Sequence, residues 1–147
     1  MTIIEAITFA IAILGAALGL INTWHNLDKA RVKLIVQPKH AVAFGGADEN
    51  LNFCIEITNL SSFPVTLSET GVLYHGTMSR GVIIQPVLLD GGPWPRRLEP
   101  RSSVSIYAQN PAKNSERLIR CAYAKTACGV TKRATSPALK QLATHGL

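Results

Sequence analysis

The chain has 147 residues, of which 47% are hydrophobic, and its formal net charge is +6. This composition excludes a disordered chain, and the length leaves room for one domain of roughly 110 residues beside a hydrophobic N-terminal segment. The basic charge is concentrated at the C-terminal end, because residues 101–147 carry eight Lys and Arg but only one acidic residue, Glu116. Such a surface suits an anionic lipid, a nucleic acid or an acidic protein, and it also keeps a small domain soluble.

An uncharged apolar segment extends from Ala6 to Thr23. As a helix it would cover about 27 Å at ~1.5 Å per residue, close to the ~30 Å hydrocarbon core of a bilayer. The residues before it include Glu5 but no Lys or Arg, and no small-residue cleavage site precedes Trp24, which argues against a cleaved signal peptide. A buried helix of a soluble protein is the other alternative. We predict a retained transmembrane helix, with residues 1–30 forming the anchor and a juxtamembrane collar.

Basic residues flank only the C-terminal side of this helix, where Lys29, Arg31 and Lys33 follow it. The positive-inside rule therefore places the following domain in the cytoplasm and the N-terminus on the other side of a bacterial inner membrane. A periplasm-facing envelope protein is the alternative orientation.

Small or polar residues recur along one face of the helix, at Thr8, Ala12, Gly15, Gly19 and Asn22. Gly15 and Gly19 form a G-x-x-x-G pair, which lets a second helix approach closely, and Asn22 can hydrogen-bond across such an interface. Small residues are also common in membrane helices generally. The pattern favours a homo-oligomer that is formed through the helix.

Residues 31–136 show strand-like alternation with turn signals about every ten residues and no helical period. Pro86 interrupts one apolar run, which predicts an edge strand or a bulge there. About seven short strands of this kind predict an all-β, immunoglobulin-like antiparallel sandwich, although the Cys…Trp…Cys spacing of true immunoglobulin domains is missing. Residues 137–147 are interpreted as a loosely held basic tail. The predicted strands cover residues 31–37, 51–58, 65–74, 81–89, 102–108, 118–124 and 130–134.

Four segments resemble those of a known group of proteins: LGLINTW, NFCIEITNLSSFPVTLSE, GGPWPRRLEPRSSVSIY, and CAYAKTACG followed by SPAL. In content and order they are similar to uncharacterised small bacterial single-pass membrane proteins with an N-terminal anchor and an immunoglobulin-like β-sandwich. The resemblance covers nearly the whole chain. It implies the anchor and the fold, and it implies no activity, because none is established for that group.

The three cysteines are predicted to be free thiols. The predicted hairpin places Cys128 in its turn beside Gly129, with Cys121 about five residues down one strand, on the order of 15 Å away. That separation is too long for a disulfide, and the predicted cytoplasmic location also favours thiols. Cys54 lies in a predicted strand and is expected to be a small buried residue.

Motifs of catalysis and cofactor binding are missing from the sequence. The four histidines are widely spread, and the adjacent acids Asp48 and Glu49 lie in a polar turn. There is no phosphate-binding glycine loop and no nucleophile elbow. We therefore predict a protein that is not an enzyme and uses no metal or cofactor. Nucleic acid is disfavoured as a partner, because the basic residues lack interleaved aromatic side chains.

The segment GGPWPRRLEPR is the most suggestive exposed element. It places Trp94 between two prolines and close to Arg96, Arg97 and Arg101. An aromatic side chain beside arginines is typical of a binding hot spot or of a lipid-headgroup contact. Alternatively, Trp94 caps the core at an open end of the sandwich, since tryptophan is highly buried on average.

Together these patterns favour a non-enzymatic single-pass membrane protein whose cytoplasmic β-sandwich contacts another protein, which the sequence does not identify. The alternative function is a membrane-perturbing effector, whose helices oligomerise under the control of the β-domain. In both hypotheses the lipid bilayer is a partner of the helix.

Overall fold

The computed structural model describes residues 2–42, 45, 48, 50–76, 79–111 and 118–145, the last four of these by their backbone alone. The chain divides into two compact units, Met1–Arg31 and Val32–Leu147. The first contains helix α1, Ile3–Lys29. The second, called the β-domain below, contains in its described part nine strands and helix α2, Pro137–His145. The strands are β1 Leu34–His40, β2 Phe53–Asn59, β3 Val65–Tyr74, β4 Arg80–Val82, β5 Val87–Leu88, β6 Arg96–Leu98, β7 Ser103–Ala108, β8 Ile119–Thr126 and β9 Thr131–Ala134.

Helix α1 begins with a capping box. The Thr2 hydroxyl accepts a hydrogen bond from the Glu5 amide at 3.4 Å, and the Thr2 amide donates to the Glu5 carboxylate at 2.9 Å. None of the helix residues is buried, and its large apolar side chains are 52–80% exposed. A core helix of a soluble protein has buried apolar side chains, and α1 has none. The prediction of an N-terminal helix that is long and apolar enough to span a bilayer is confirmed.

The strands form two antiparallel sheets that share one hydrophobic core. The first sheet has the order β1-β2-β7-β5; in the second, β4-β3-β8-β9 are neighbours and β6 also pairs with β3. Side chains alternate between the two faces of a strand, and every second residue of β2 faces the core: Phe53, Ile55 and Ile57 are each at most 2% exposed. Leu67 and Val72 of β3, in the other sheet, belong to the same core. Each such burial contributes about 1.5–3 kcal/mol. The predicted two-sheet antiparallel β-domain is confirmed at this level.

The segment around Pro86 is where the chain changes sheets. Residues 81–89 were expected to form one interrupted strand, but β4 lies at the edge of one sheet and β5 at the edge of the other. Residues 83–86 connect the two edges. The predicted sheet edge is confirmed for both flanking strands, but Pro86 itself lies in the connection and not in a strand or bulge, where its missing amide proton interrupts no strand pairing.

The C-terminal segment differs from the tail that the sequence analysis expects. Pro137–His145 form α2, and the Leu139 side chain is 2% exposed within the core. The Ser136 hydroxyl accepts a hydrogen bond from the Leu139 amide at 3.1 Å, so Ser136 caps the helix and Pro137 occupies its first position. The prediction of a loose tail was wrong for these residues, because one buried leucine among the described side chains of α2 gives no visible helical period.

Candidate interaction surfaces

The antiparallel pairing gives the β-domain two distinct ends. Leu34, where β1 begins, pairs with Asn59 at the end of β2. Val65, where β3 begins, pairs with Leu98 at the end of β6. The loops after β2 and after β6 therefore lie at the same end, where the chain enters the domain. We call these loops, residues 59–64 and 98–102, the base.

A fully buried side chain, that of Asn59, holds the base together. Its amide nitrogen lies 2.9 Å from the Phe63 carbonyl oxygen and 3.2 Å from each of the carbonyl oxygens of Leu98 and Glu99, and donates to them. Its side-chain oxygen accepts from the Ser61 amide at 2.9 Å. Both loops are thus bonded to one side chain, whose polar atoms are satisfied without water.

The backbone of Asn59 adds two further bonds to the same loop. Its amide donates to the Ser102 carbonyl, and its carbonyl accepts from the Arg101 amide, both at 2.9 Å. Residue 59 falls in the connection between the predicted strands 51–58 and 65–74. The side-chain and backbone hydrogen bonds of Asn59 hold this connection in place.

The entering chain is fixed to the base from its first residues. The Lys33 amide donates to the Ser61 hydroxyl at 2.8 Å, and the Leu60 amide donates to the Lys33 carbonyl at 2.8 Å. Val32 packs against the core. The segment between α1 and the β-domain is therefore short, since only Ala30 and Arg31 lie between the helix and the first residue that packs on the core.

The predicted patch is divided between different structural roles. Trp94 is half-buried and packs against the core, in agreement with its interpretation as a cap. Arg96 forms an ion pair with Asp90, and its guanidinium lies so close to Gly92 that a Cβ there would collide with it. The Arg97 Nε donates to the exposed Glu99 carboxylate at 3.0 Å, a type of surface pair that contributes about 0–1 kcal/mol.

Arg101 differs from the rest of the predicted patch because it belongs to the base. It is exposed and has φ 62°, the left-handed conformation, which is the only positive φ of a non-glycine residue in the described part of the chain. That conformation costs an L-residue roughly 1–2 kcal/mol. The side chain therefore extends from a turn that is held by Asn59.

A cleft of about 620 Å³ lies at the end opposite the base, between β4 and β5. Asp48, Gln85 and Gln109 are its polar lining residues. Among its lining residues, Ile84 is 85% exposed. We call this site the edge cleft. The only feature of the sequence that pointed to it was Pro86 within an apolar run. The apolar lining is Leu51, Phe53, Val72, Val82, Ile83, Ile84, Val87, Ala108 and Pro111, with Tyr74 beside them.

The cysteines are free thiols in contrasting environments. Cys54 is buried as predicted, and burial raises the pKa of its thiol. Cys121 is also buried. Cys128 is exposed in the predicted hairpin turn, where Gly129 has the expected positive φ of 89°. The Thr126 hydroxyl lies 3.1 Å from the Cys128 sulfur, and this hydrogen bond lowers the pKa of the thiol. Cys128 is therefore the accessible thiol of the three.

A polar cluster supports the second sheet near the edge cleft. The Tyr123 hydroxyl donates to the Glu69 carboxylate at 2.5 Å, and Arg80 pairs with the same carboxylate oxygen at 3.2 Å. Burial, followed by the bond to Glu69, raises the pKa of Tyr123 strongly. This geometry keeps the phenol protonated. Among the described residues, no group of three or more His, Cys, Asp or Glu is arranged to hold a metal ion.

The predicted helix-association residues Thr8, Ala12, Gly15, Gly19 and Asn22 are all exposed on α1. A Cβ at Gly15 or Gly19 would meet nothing within 4 Å. The Thr8 hydroxyl donates to the Ile4 carbonyl at 2.9 Å within the helix. Of the juxtamembrane basic residues, Lys29 lies in the last turn of α1, Arg31 is exposed and Lys33 is half-buried.

Neither the scan against protein-family models nor the search of curated proteins finds a match to this chain.

Proposed function

We propose that this protein is a non-enzymatic, single-pass membrane protein of the bacterial inner membrane that presents a cytoplasmic β-domain to a protein partner. The observation that carries this proposal is α1, a helix of 27 residues with no buried side chain. Exposing its Ile, Leu and Phe side chains to water costs about 25 cal/mol per Å² of apolar surface, relative to exposing them to the hydrocarbon of a bilayer.

The proposed orientation depends on the charges at the two ends of α1. Glu5 is in its first turn and Lys29 in its last. Lys29, Arg31 and Lys33 follow the apolar span, and no Lys or Arg precedes it. This asymmetry favours a cytoplasmic β-domain. An immunoglobulin-like arrangement of the two sheets is part of the proposal, supported by their antiparallel strands, their shared core and the change of sheets at residues 83–86.

For the protein contact we propose the edge cleft, occupied by an extended apolar segment of the partner. Each of β4 and β5 is the last strand of its sheet and has an open main-chain edge. An extended peptide can pair with such an edge while its alternate side chains enter a neighbouring pocket. The exposed Ile84 and the lining Val87 provide apolar contacts for those side chains.

Membrane extraction tests the anchor. The full chain expressed in bacteria is expected to stay in the membrane pellet at alkaline pH and to be released by detergent. Release by alkali alone would contradict the proposal. A chain in which Leu14 and Leu18 are both replaced by Lys, within the proposed span, is the matched variant that should be released.

Photo-crosslinking tests the edge cleft. A photoreactive residue at position 84 should give a discrete protein adduct, which Val87→Asp abolishes, while the same residue at the exposed position 131 of β9 should not give that adduct. Adducts to lipid alone, to a second copy alone, or equal adducts at both positions would contradict the proposed occupant.

Self-association through α1 is tested with substitutions on and off the small-residue face. Gly15→Ile with Gly19→Ile should reduce association of the full chain in membranes, because the larger side chains prevent close helix approach. Ala17→Ile, on the opposite helix face, should leave it unchanged. Equal association of all three chains would exclude this interface. Growth arrest that depends on the two glycines would favour the effector hypothesis.

A further inference from the structure

We propose that the base of the β-domain docks on the anionic headgroups of the bilayer that α1 spans, through the charge of Arg101 and the apolar side chain of Leu60. The inference rests on the proposed membrane anchor and goes further, because it assigns a ligand to a surface of the β-domain itself. The base would then contact lipid, and the edge cleft at the other end would remain available to a protein.

The length of the connecting chain limits the distance between the base and the helix end. Four Cα–Cα steps separate Lys29, the last helix residue, from Lys33, which is bonded to Leu60 and Ser61. At most ~3.6 Å per residue, these steps span about 14 Å. Chain connectivity alone therefore keeps Lys33, the residue to which Leu60 and Ser61 are bonded, within that reach of Lys29. The polar headgroup layer adds roughly 5–8 Å on each side of the hydrocarbon core, so a connection of this length lets the base reach it.

The base presents the charge and the apolar surface that a headgroup layer recognises. Arg101 is exposed, and Leu60 is 37% exposed at the loop that receives the incoming chain. Glu99 is the acidic side chain of these loops, and its carboxylate is bonded to Arg97. Arginine forms bidentate hydrogen bonds with phosphate groups, and the cytoplasmic leaflet is anionic.

The backbone fixes these two side chains in place before any ligand arrives. The Leu60 amide is bonded to the Lys33 carbonyl, and the Arg101 amide is bonded to the Asn59 carbonyl. Arg101 has a left-handed conformation that glycine or asparagine adopts more easily. A long cationic side chain at such a position is explained by an interaction that needs its charge.

An intrinsic reporter of this docking is present in the chain. The Ala127 amide donates to the Thr66 carbonyl at 2.8 Å near the start of β3, so the turn that contains Cys128 also lies at the base end. Cys128 is exposed whereas Cys54 and Cys121 are buried. A fluorophore on the native Cys128 thiol therefore reports the distance of the base end from the membrane surface.

The experiment uses the full chain, labelled at Cys128 and reconstituted into phosphatidylcholine vesicles with or without phosphatidylglycerol and with a headgroup-linked nitroxide quencher. We expect stronger quenching when phosphatidylglycerol is present. High salt and Arg101→Asn should each remove this increase, since both remove the charge interaction. Arg101→Lys should retain it in part. Leu60→Ser should reduce quenching in both kinds of vesicle.

A matched control removes the same charge at the other end of the domain. Arg120 is exposed at the start of β8, and Arg120→Asn should leave the phosphatidylglycerol-dependent increase unchanged. Near-UV circular dichroism verifies that each variant is folded. If the protein separates from the vesicles on flotation, the proposed anchor fails. If it floats with them but quenching ignores phosphatidylglycerol or Arg101, the docking inference alone is overturned, and an acidic protein is the better ligand for the base.

Discussion

The base and the edge cleft are opposite ends of one β-domain, and different interactions hold them in place. At the base, the buried Asn59 side chain bonds to Ser61, Phe63, Leu98 and Glu99. At the edge cleft, two- and three-residue strands and apolar side chains surround an open volume of about 620 Å³. Directional hydrogen bonds fix the loops of the base, whereas the edge cleft leaves apolar surface in contact with water.

This difference indicates where the domain is preorganised and where it can accept another chain. Hydrogen-bonded loops with a buried polar centre have one low-energy arrangement, because every alternative leaves polar groups unsatisfied. Short edge strands have few bonds to lose, and their open edges can accept a new strand. The contrast is the physical basis of the two proposals above, lipid docking at the base and partner binding at the edge cleft.

The largest expected effect comes from breaking the polar centre of the base. Asn59→Asp replaces a donor that faces three carbonyl oxygens with an acceptor, and it buries a charge. We expect the free energy of unfolding to fall by about 3–5 kcal/mol, or the domain not to fold at all. Urea unfolding of the full chain in detergent, followed by near-UV circular dichroism, measures the change.

The same substitution at the other end is the control. Asn52 is half-buried just before β2, and Asn52→Asp should cost less than about 1 kcal/mol, as expected for a polar residue outside a buried network. Equal losses for the two variants would show that the base has no special polar centre.

A substitution at a close contact between two backbone segments, Gly71→Ala, tests the edge cleft. A Cβ at Gly71 would collide with the Gly81 carbonyl of β4, so Gly71→Ala must displace that strand. We expect a loss of about 1–3 kcal/mol. Amide exchange at Ile83, whose amide donates to the Thr70 carbonyl at 2.9 Å, should become faster. Gly129→Ala is the control, because it strains a distant turn with φ 89° and should leave exchange at Ile83 unchanged. Faster exchange in both variants would contradict the local explanation.

Alkaline pH tests the polar cluster that supports the second sheet. The pKa of Tyr123 is raised by burial and by its bond to Glu69, so its folded pKa lies above the unfolded value of about 10. The stabilisation is complete below pH ~10 and is lost as pH rises towards the folded pKa, by up to ~1.4 kcal/mol per pH unit. Tyr123→Phe should flatten this slope in urea unfolding, whereas Tyr74→Phe should not. A wild-type slope unchanged by Tyr123→Phe would exclude the assignment.

The smallest expected effect concerns Arg101, and it has the opposite sign. Arg101→Gly removes the strain of the left-handed conformation and should stabilise the domain by about 1 kcal/mol in the same urea experiment, in contrast to Asn59→Asp. Ser102→Gly, at the next residue, has no such strain to relieve and should not stabilise it. A loss of stability for Arg101→Gly would indicate that the arginine side chain supports the fold.

The sequence was most informative where local pattern determines structure. The alternation of Phe53, Ile55 and Ile57 predicted β2, and Pro86 predicted an edge. The left-handed φ of Gly129 confirmed the predicted hairpin turn. The elements β6 and α2 were missed. β6 has only three residues, and among the described side chains of α2 the buried Leu139 alone gives no period that can be recognised.

The candidate surfaces were predictable only in part, because they depend on contacts between distant residues. Asn59 is 39 residues from Leu98 in sequence, and nothing in its neighbours indicates a buried side chain. The edge cleft combines β2, β3 and the segment after β4. The four residues of the predicted patch lie close together in sequence, yet Trp94 packs on the core while Arg101 joins the base.

Thiol labelling in native membranes tests the central claim most directly. Cys128 is exposed while Cys54 and Cys121 are buried, so a membrane-impermeant maleimide reports the side of the membrane on which the β-domain lies. We predict labelling in inverted membrane vesicles and none in intact cells with a permeable outer membrane, with Cys128→Ser abolishing the signal. Labelling in intact cells would place the β-domain outside the cytoplasm and contradict the account.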